Sequence, residues 1–130
     1  MAASNPNSWR SLLFIPAVAE RFVAKAHTRG ADVIILDLED SIPPSEKDAA
    51  RAALPGAAKT IAAHGQEICV RINRPLELAV PDIAAAIMPE VSSLMLPKVM
   101  VRCSCPSKNF SAWCIPKCLD ALFRGPCHSI

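Results

Sequence analysis

No stretch of the 130 residues has the length and apolarity of a membrane-spanning helix, and no dense basic run or large charge excess is present. The first absence argues against a membrane-span class. The second, with a net charge of only +2, leaves no electrostatic footprint for nucleic acid. The opening stretch, Met1 to Arg10, is polar and lacks the basic-then-apolar layout of a signal peptide, so the expected location is the cytoplasm. Cysteine is nearly missing from the body of the chain. Cys69 stands alone, while Cys103, Cys105, Cys114, Cys118 and Cys127 crowd the last 28 residues. Two different compositions have been joined.

What is present is a globular chain: 52% hydrophobic and 20% charged residues, long enough for one domain with a modest core. Its most telling stretch is Ala31 to Asp40, where Val33, Ile34, Ile35, Leu36 and Leu38 lead into Asp37, Glu39 and Asp40. A continuous β-branched run predicts a strand buried on both faces. Carboxylates at the end of such a strand are costly unless a cation or a substrate meets them.

Short apolar runs alternate with Ala-rich amphipathic ones from Arg10 to Val99. Ser11 to Pro16 reads as a first strand stopped by proline. Ala19 to Thr28 reads as a helix with Phe22, Val23 and Ala26 on one face and Gly30 capping its end. Ser45 opens a helix with Glu46 and Asp48 in its first turn, broken or kinked at Pro55-Gly56 before it resumes to His64-Gly65. Ile68 to Asn73 is a third strand, and Asp82 to Val91 a short helix ended or bent at Pro89. Leu94 to Val99 is a fourth strand weakened by Pro97.

This βαβαβαβ order predicts parallel pairing through right-handed crossovers. An open doubly wound sheet and a (β/α)8 TIM barrel both use it. The first turn has no glycine-rich phosphate loop, which favours the barrel, of which this chain supplies roughly half. The expected layout is a disordered segment over 1–9, a partial barrel over 10–99 and an irregular, unstructured Cys-rich tail over 100–130.

Strand alternation places Asp37 and Glu39 on one side and Asp40 on the other, if the strand persists that far. They form either a polar cup at the barrel mouth or a strand end meeting solvent. Arg71, in Val70-Arg-Ile-Asn73, offers a planar fork suited to a carboxylate. It would clamp an anionic substrate, pair with Asp37 or Glu39, or do both. Lys98 closes the fourth strand at the same level. Arg21 and Lys25, four apart, either bind phosphates of a large ligand or form a solvated face. His27, His64 and His128 lack partners at ligand spacing. Cys103-x-Cys105 with Cys114-x3-Cys118 could supply four thiolates to zinc, but the C-x2-C spacing is missing, and a tail without selected structure is the duller alternative.

Five blocks occur in order: Arg10 to Pro16, Glu20 to Lys25, Gly30 to Pro43, Val70 to Asn73 and Leu96 to Val99. Together they resemble the citrate lyase β-subunit-like family, within the HpcH/HpaI aldolase group of CoA-ester lyases. The resemblance implies a (β/α)8 barrel that cleaves or forms a C–C bond in citryl-, malyl- or citramalyl-CoA, with Mg2+ holding the oxo-acid product. It implies that Arg71 binds the oxo-acid carboxylate and serves catalysis. Asp37, Glu39 and Asp40 would line the pocket and support the metal's water shell; Lys98 is placed beside the substrate by its strand end alone. Arg21 and Lys25 would lie near the CoA phosphates, and the full-length family would be homo-oligomeric. Ala17-Val18 and Met100 depart from the family pattern. The motifs that bind magnesium directly and supply the acid–base group have no counterpart after Val99, so none of the metal ligands is assigned to this chain. The expectation is a truncated or frameshifted member, inactive as written. The alternative is a noncatalytic half-barrel that binds acidic metabolites or self-associates.

Overall fold

A computed structural model of the chain describes residues 9–98; the expectations for residues 1–8 and for the Cys-rich tail from Val99 onward, zinc included, lie outside them. The acid-tipped apolar run forms β2 (Val33–Asp37), buried along its whole length. It pairs in parallel with β1 (Leu12–Pro16) and β3 (Glu67–Arg71), and β3 pairs with β4 (Ser93–Met95). The sheet order is β1-β2-β3-β4, with no reversal. Among the described residues this is a parallel α/β sheet without the switch point of a doubly wound sheet, consistent with part of a barrel.

Period-two alternation divides the sheet between two layers. Ile15, Ile34, Leu36, Ile68 and Val70 pack with helix residues such as Val23, Leu54, Ala58, Ile61, Ala79 and Ala86. Val33, Ile35 and Cys69 form the opposite layer, against Trp9, Leu12 and Met95. One row across the sheet runs Pro16, Asp37, Arg71, Met95, so the acid of β2 and the arginine of β3 are direct neighbours.

The helices depart from expectation in instructive ways. The first crossover is α1 (Glu20–Val23) followed by a 3-10 turn over Ala26–Arg29, rather than one helix from Ala19 to Thr28. No side chain caps Ala19, and Lys25 leaves helical geometry at φ −105° and ψ 4°. Val23 and Ala26 are buried as expected, but Phe22 is exposed. Gly30 does end this crossover in the left-handed region, at φ 70°. Helix α2 (Lys47–Ala62) runs through Pro55 and Gly56 without a break, because Ala50, Leu54, Ala57, Ala58 and Ile61 bury one continuous stripe on both sides of the proline. Helix α3 (Leu76–Ala86) begins six residues before the expected Asp82 and ends before Pro89. Pro75 precedes its first turn, and Ala79, Asp82 and Ala86 form its buried stripe across Pro81. β4 stops at Met95, short of Pro97. Among the described residues no helix is long and apolar enough to cross a membrane.

Candidate functional site

Parallel strands bring their C-terminal ends to one rim, and β2, β3 and β4 end there on Asp37, Arg71 and Met95. Arg71 Nε donates to Asp37 Oδ1 at 2.7 Å and Nη2 donates to Asp37 Oδ2 at 2.7 Å, a two-pronged pair. The remaining edge, Nη1, lies 3.4 Å from Asp40 Oδ2 and 3.5 Å from Glu39 Oε2. The flat face of the guanidinium rests 4.7 Å from the centre of the Phe14 ring. Lys98, in the left-handed region at φ 47°, reaches Asp40 Oδ1 at 3.4 Å and Glu39 Oε1 at 3.7 Å. Arg71, Asp37, Glu39, Asp40 and Lys98 thus form one cluster of three carboxylates and two cations. Alternation would have sent Asp40 to the opposite side; the strand ends at Asp37, and the following turn curls all three acids around Arg71.

The Asp37 carboxylate accepts from two further donors, the backbone N–H groups of Glu39 at 2.8 Å and Ser41 at 3.0 Å. Burial pushes its pKa up, but the Arg71 guanidinium together with Ser41 and the Glu39 amide hold it down at about 2. Glu39 is less well served: its buried Oε2 accepts no hydrogen bond and has Arg71 only at ion-pair distance. Two rim atoms are incompletely served: Arg71 Nη1 has only its 3.4 Å bond to Asp40 Oδ2 beside the Glu39 ion pair, and the buried Glu39 Oε2 accepts no hydrogen bond.

Behind the rim lies a second polar group that sequence reasoning missed. Asp82, wholly buried on α3, accepts from Asn73 N at 2.8 Å, Asn73 Nδ2 at 2.7 Å and Arg51 Nη1 of α2 at 2.9 Å. Arg51 also pairs with Asp48, and Asn73 Nδ2 donates to the Leu38 carbonyl at 2.8 Å. The available signal was helical spacing: Asp82 falls three after Ala79 and four before Ala86 on one stripe.

Arg21 and Lys25 do not join the cluster. Arg21 lays its guanidinium over the Phe22 ring at 4.6 Å, and Lys25 is exposed. His27 and His64, given no role from their spacing, stack face to face with ring centres 3.7 Å apart.

Comparison with known proteins follows the same residues. Residues 10–104 match the HpcH/HpaI aldolase/citrate lyase family. A (3S)-malyl-CoA thioesterase of Cereibacter sphaeroides is 35% identical over 98 residues, covering 75% of this chain and 34% of that protein. The citrate lyase subunit beta of Leuconostoc mesenteroides is 35% identical over 100 residues, covering 74% and 32% respectively. The mitochondrial citramalyl-CoA lyase of Homo sapiens is 33% identical over 93 residues, covering 69% and 27%. The chain spans about a third of the length of these relatives. With most of its length matched, the chain belongs to the HpcH/HpaI aldolase/citrate lyase family.

Proposed function

We propose that residues 10–98 form the first half of a (β/α)8 barrel and supply the oxo-acid-binding part of a carbon–carbon lyase of the citrate lyase β type. The observation that carries this reading is the Arg71 guanidinium at the strand ends. Its Nε/Nη2 edge is held by Asp37 and its face by Phe14, while Nη1 has only the longer contacts to Asp40 and Glu39, the two acids that Lys98 also reaches. Family membership and the names of the relatives support a CoA-ester substrate.

In such a cleavage the hydroxyl proton of a 3-hydroxyacyl thioester passes to a base, and the bond between C2 and C3 breaks. Its electron pair passes to the thioester enolate while the hydroxyl carbon becomes the oxo-acid carbonyl. Arg71 would hold the carboxylate attached to that carbon, with Nη1 exchanging Glu39 and Asp40 for the substrate. Lys98 adds a second positive charge on the same side. Among the described residues no three His, Cys, Asp or Glu side chains are placed to hold a metal ion. Asp37 is also fully occupied by Arg71 and two N–H groups, so these residues do not make a direct magnesium shell.

The test has two arms. Glyoxylate, pyruvate and oxaloacetate are titrated against the full chain and against Arg71→Ala; saturable binding lost in the variant supports the reading, and equal binding overturns it. Malyl-, citramalyl- and citryl-thioester cleavage is assayed with magnesium. No turnover above background is expected from these 130 residues, and turnover lost in Arg71→Ala would overturn the expected inactivity while strengthening the lyase assignment. A second reading, a noncatalytic half-barrel that self-associates, draws on the exposed Leu76, Val80 and Ile87 of the α3 region. Light scattering that finds a monomer counts against it.

A further inference from the structure

Helix α2 opens on Lys47, where the helix dipole favours an acid over a base. A residue that goes against a local preference beside a functional site calls for a compensating contact. Lys47 has two: its Nζ donates to the Leu38 carbonyl at 2.8 Å and to the Glu39 carbonyl at 2.6 Å. Among the described residues it pairs with no carboxylate, so its effect on the acids runs through the backbone rather than through their charge.

These two carbonyls belong to the turn that carries Glu39 and Asp40. Leu38 N makes the last sheet bond, to Arg71 O at 3.0 Å, and beyond it the chain leaves the sheet. Asp37 holds the N–H groups of the turn at Glu39 and Ser41, while Lys47 and Asn73 hold its carbonyl side at Leu38. The Glu39 carbonyl has Lys47 and, at 3.2 Å, Ile42 N. Lys47 is the group that grips both carbonyls, and it ties the turn to the first residue of a 16-residue helix.

We propose that Lys47 is a positioning residue: it fixes the turn holding Glu39 and Asp40 against the Nη1 edge of Arg71, and so sets how an incoming carboxylate gains that edge. The ligand side of this statement rests on the anion-binding reading above; the positioning side does not. Lys47 touches no substrate and does no chemistry.

The test uses the full chain with Lys47→Met and Lys47→Arg. In the ligand-free protein, hydrogen exchange at the Glu39 and Ser41 amides and at Arg71 Nε–H should quicken about tenfold in Lys47→Met, while Ile35 and Val70 amides keep their protection. Lys47→Arg, whose fork can bridge two carbonyls, should restore the slow exchange. A loss of structure alone would raise exchange at Ile35 and Val70 as well. Oxalate is the ligand probe, and its dissociation constant should rise about tenfold in Lys47→Met, equivalent to about 1.4 kcal/mol, and return in Lys47→Arg. Wild-type protein that ignores oxalate while the exchange pattern holds would sink the anion site and leave the positioning role standing. Unchanged exchange at Glu39, Ser41 and Arg71 in folded Lys47→Met overturns the proposal, whatever oxalate does. Should Lys47→Met not fold, Lys47→Gln, one methylene shorter and uncharged, is read by the same criteria.

Discussion

Strand β2 is flanked by two Asp–Arg pairs that differ in almost everything except their chemistry. At its start, Asp32 takes Arg10 Nη2 at 3.1 Å, with the Arg10 side chain 86% exposed; at its end, Asp37 takes Arg71 Nη2 at 2.7 Å, with side-chain exposures of 18% and 1%. Both carboxyls are held below the ordinary carboxylate range, Asp32 chiefly by hydrogen bonds from the Arg10 side chain and backbone, Asp37 by Arg71 against the cost of burial. An exposed pair can rearrange into water at little cost, whereas a buried charge that loses its partner has nowhere to go. The same two side-chain types thus make a surface tether at one end of the strand and a structural and chemical commitment at the other.

Arg71→Ala should test this contrast most severely, leaving Asp37 buried without its cation and lowering the unfolding free energy by about 3–5 kcal/mol in urea titrations. Asp82→Ala should follow at about 3 kcal/mol, since it strands Arg51 and Asn73 in the same way. Acid should weaken the buried end over a defined range. Asp37 titrates at about 2 in the folded chain against an ordinary 3.8, so the unfolded chain binds more protons between these values. The stability Asp37 contributes is complete above the ordinary value and is lost as pH falls toward 2. In Asp37→Asn, urea midpoints should lose that part of their pH slope, and an unchanged slope would remove Asp37 from the account. Phe14→Leu, which takes the ring from under the Arg71 guanidinium, should cost about 0.5–1 kcal/mol. Arg10→Ala should leave the urea midpoint within measurement error; a drop approaching that of Arg71→Ala would erase the difference between the two pairs.

The unequal legibility of these features has a physical origin. β2 could be read because burial on both faces demands an unbroken apolar run, and Arg71 because a guanidinium in such a strand must find a partner. Gly30 was readable because a left-handed ending favours glycine. The prolines mislead: Pro55 signals a break, and Pro81 hides the first half of α3. Yet α2 and α3 continue through both because one stripe packs on the sheet on either side. The Asp82–Asn73–Arg51 group could not be read because Arg51 and Asp82 are 31 residues apart and meet only when α2 packs on α3. The side taken by Asp40 hangs on where the strand stops, and the strand stops at Asp37, so alternation does not reach it. Lys47 carried a local sign, a base at a helix start, but its partners are carbonyls, which no side-chain pattern reveals.

The row that sets Arg71 opposite Asp37 also limits how this chain can change length. A one-residue slip of β3 would turn the guanidinium under the helices and deliver an isoleucine or valine to the rim. A two-residue slip would restore its face but carry it about 6.6 Å along the strand, out of reach of its acid. Insertions and deletions between α2 and β3 must therefore be taken up within residues 63–66, around the left-handed Gly65, and leave the strand alone. That short connection is the molecule's expansion joint, and the charged pair is the gauge that shows whether it has held.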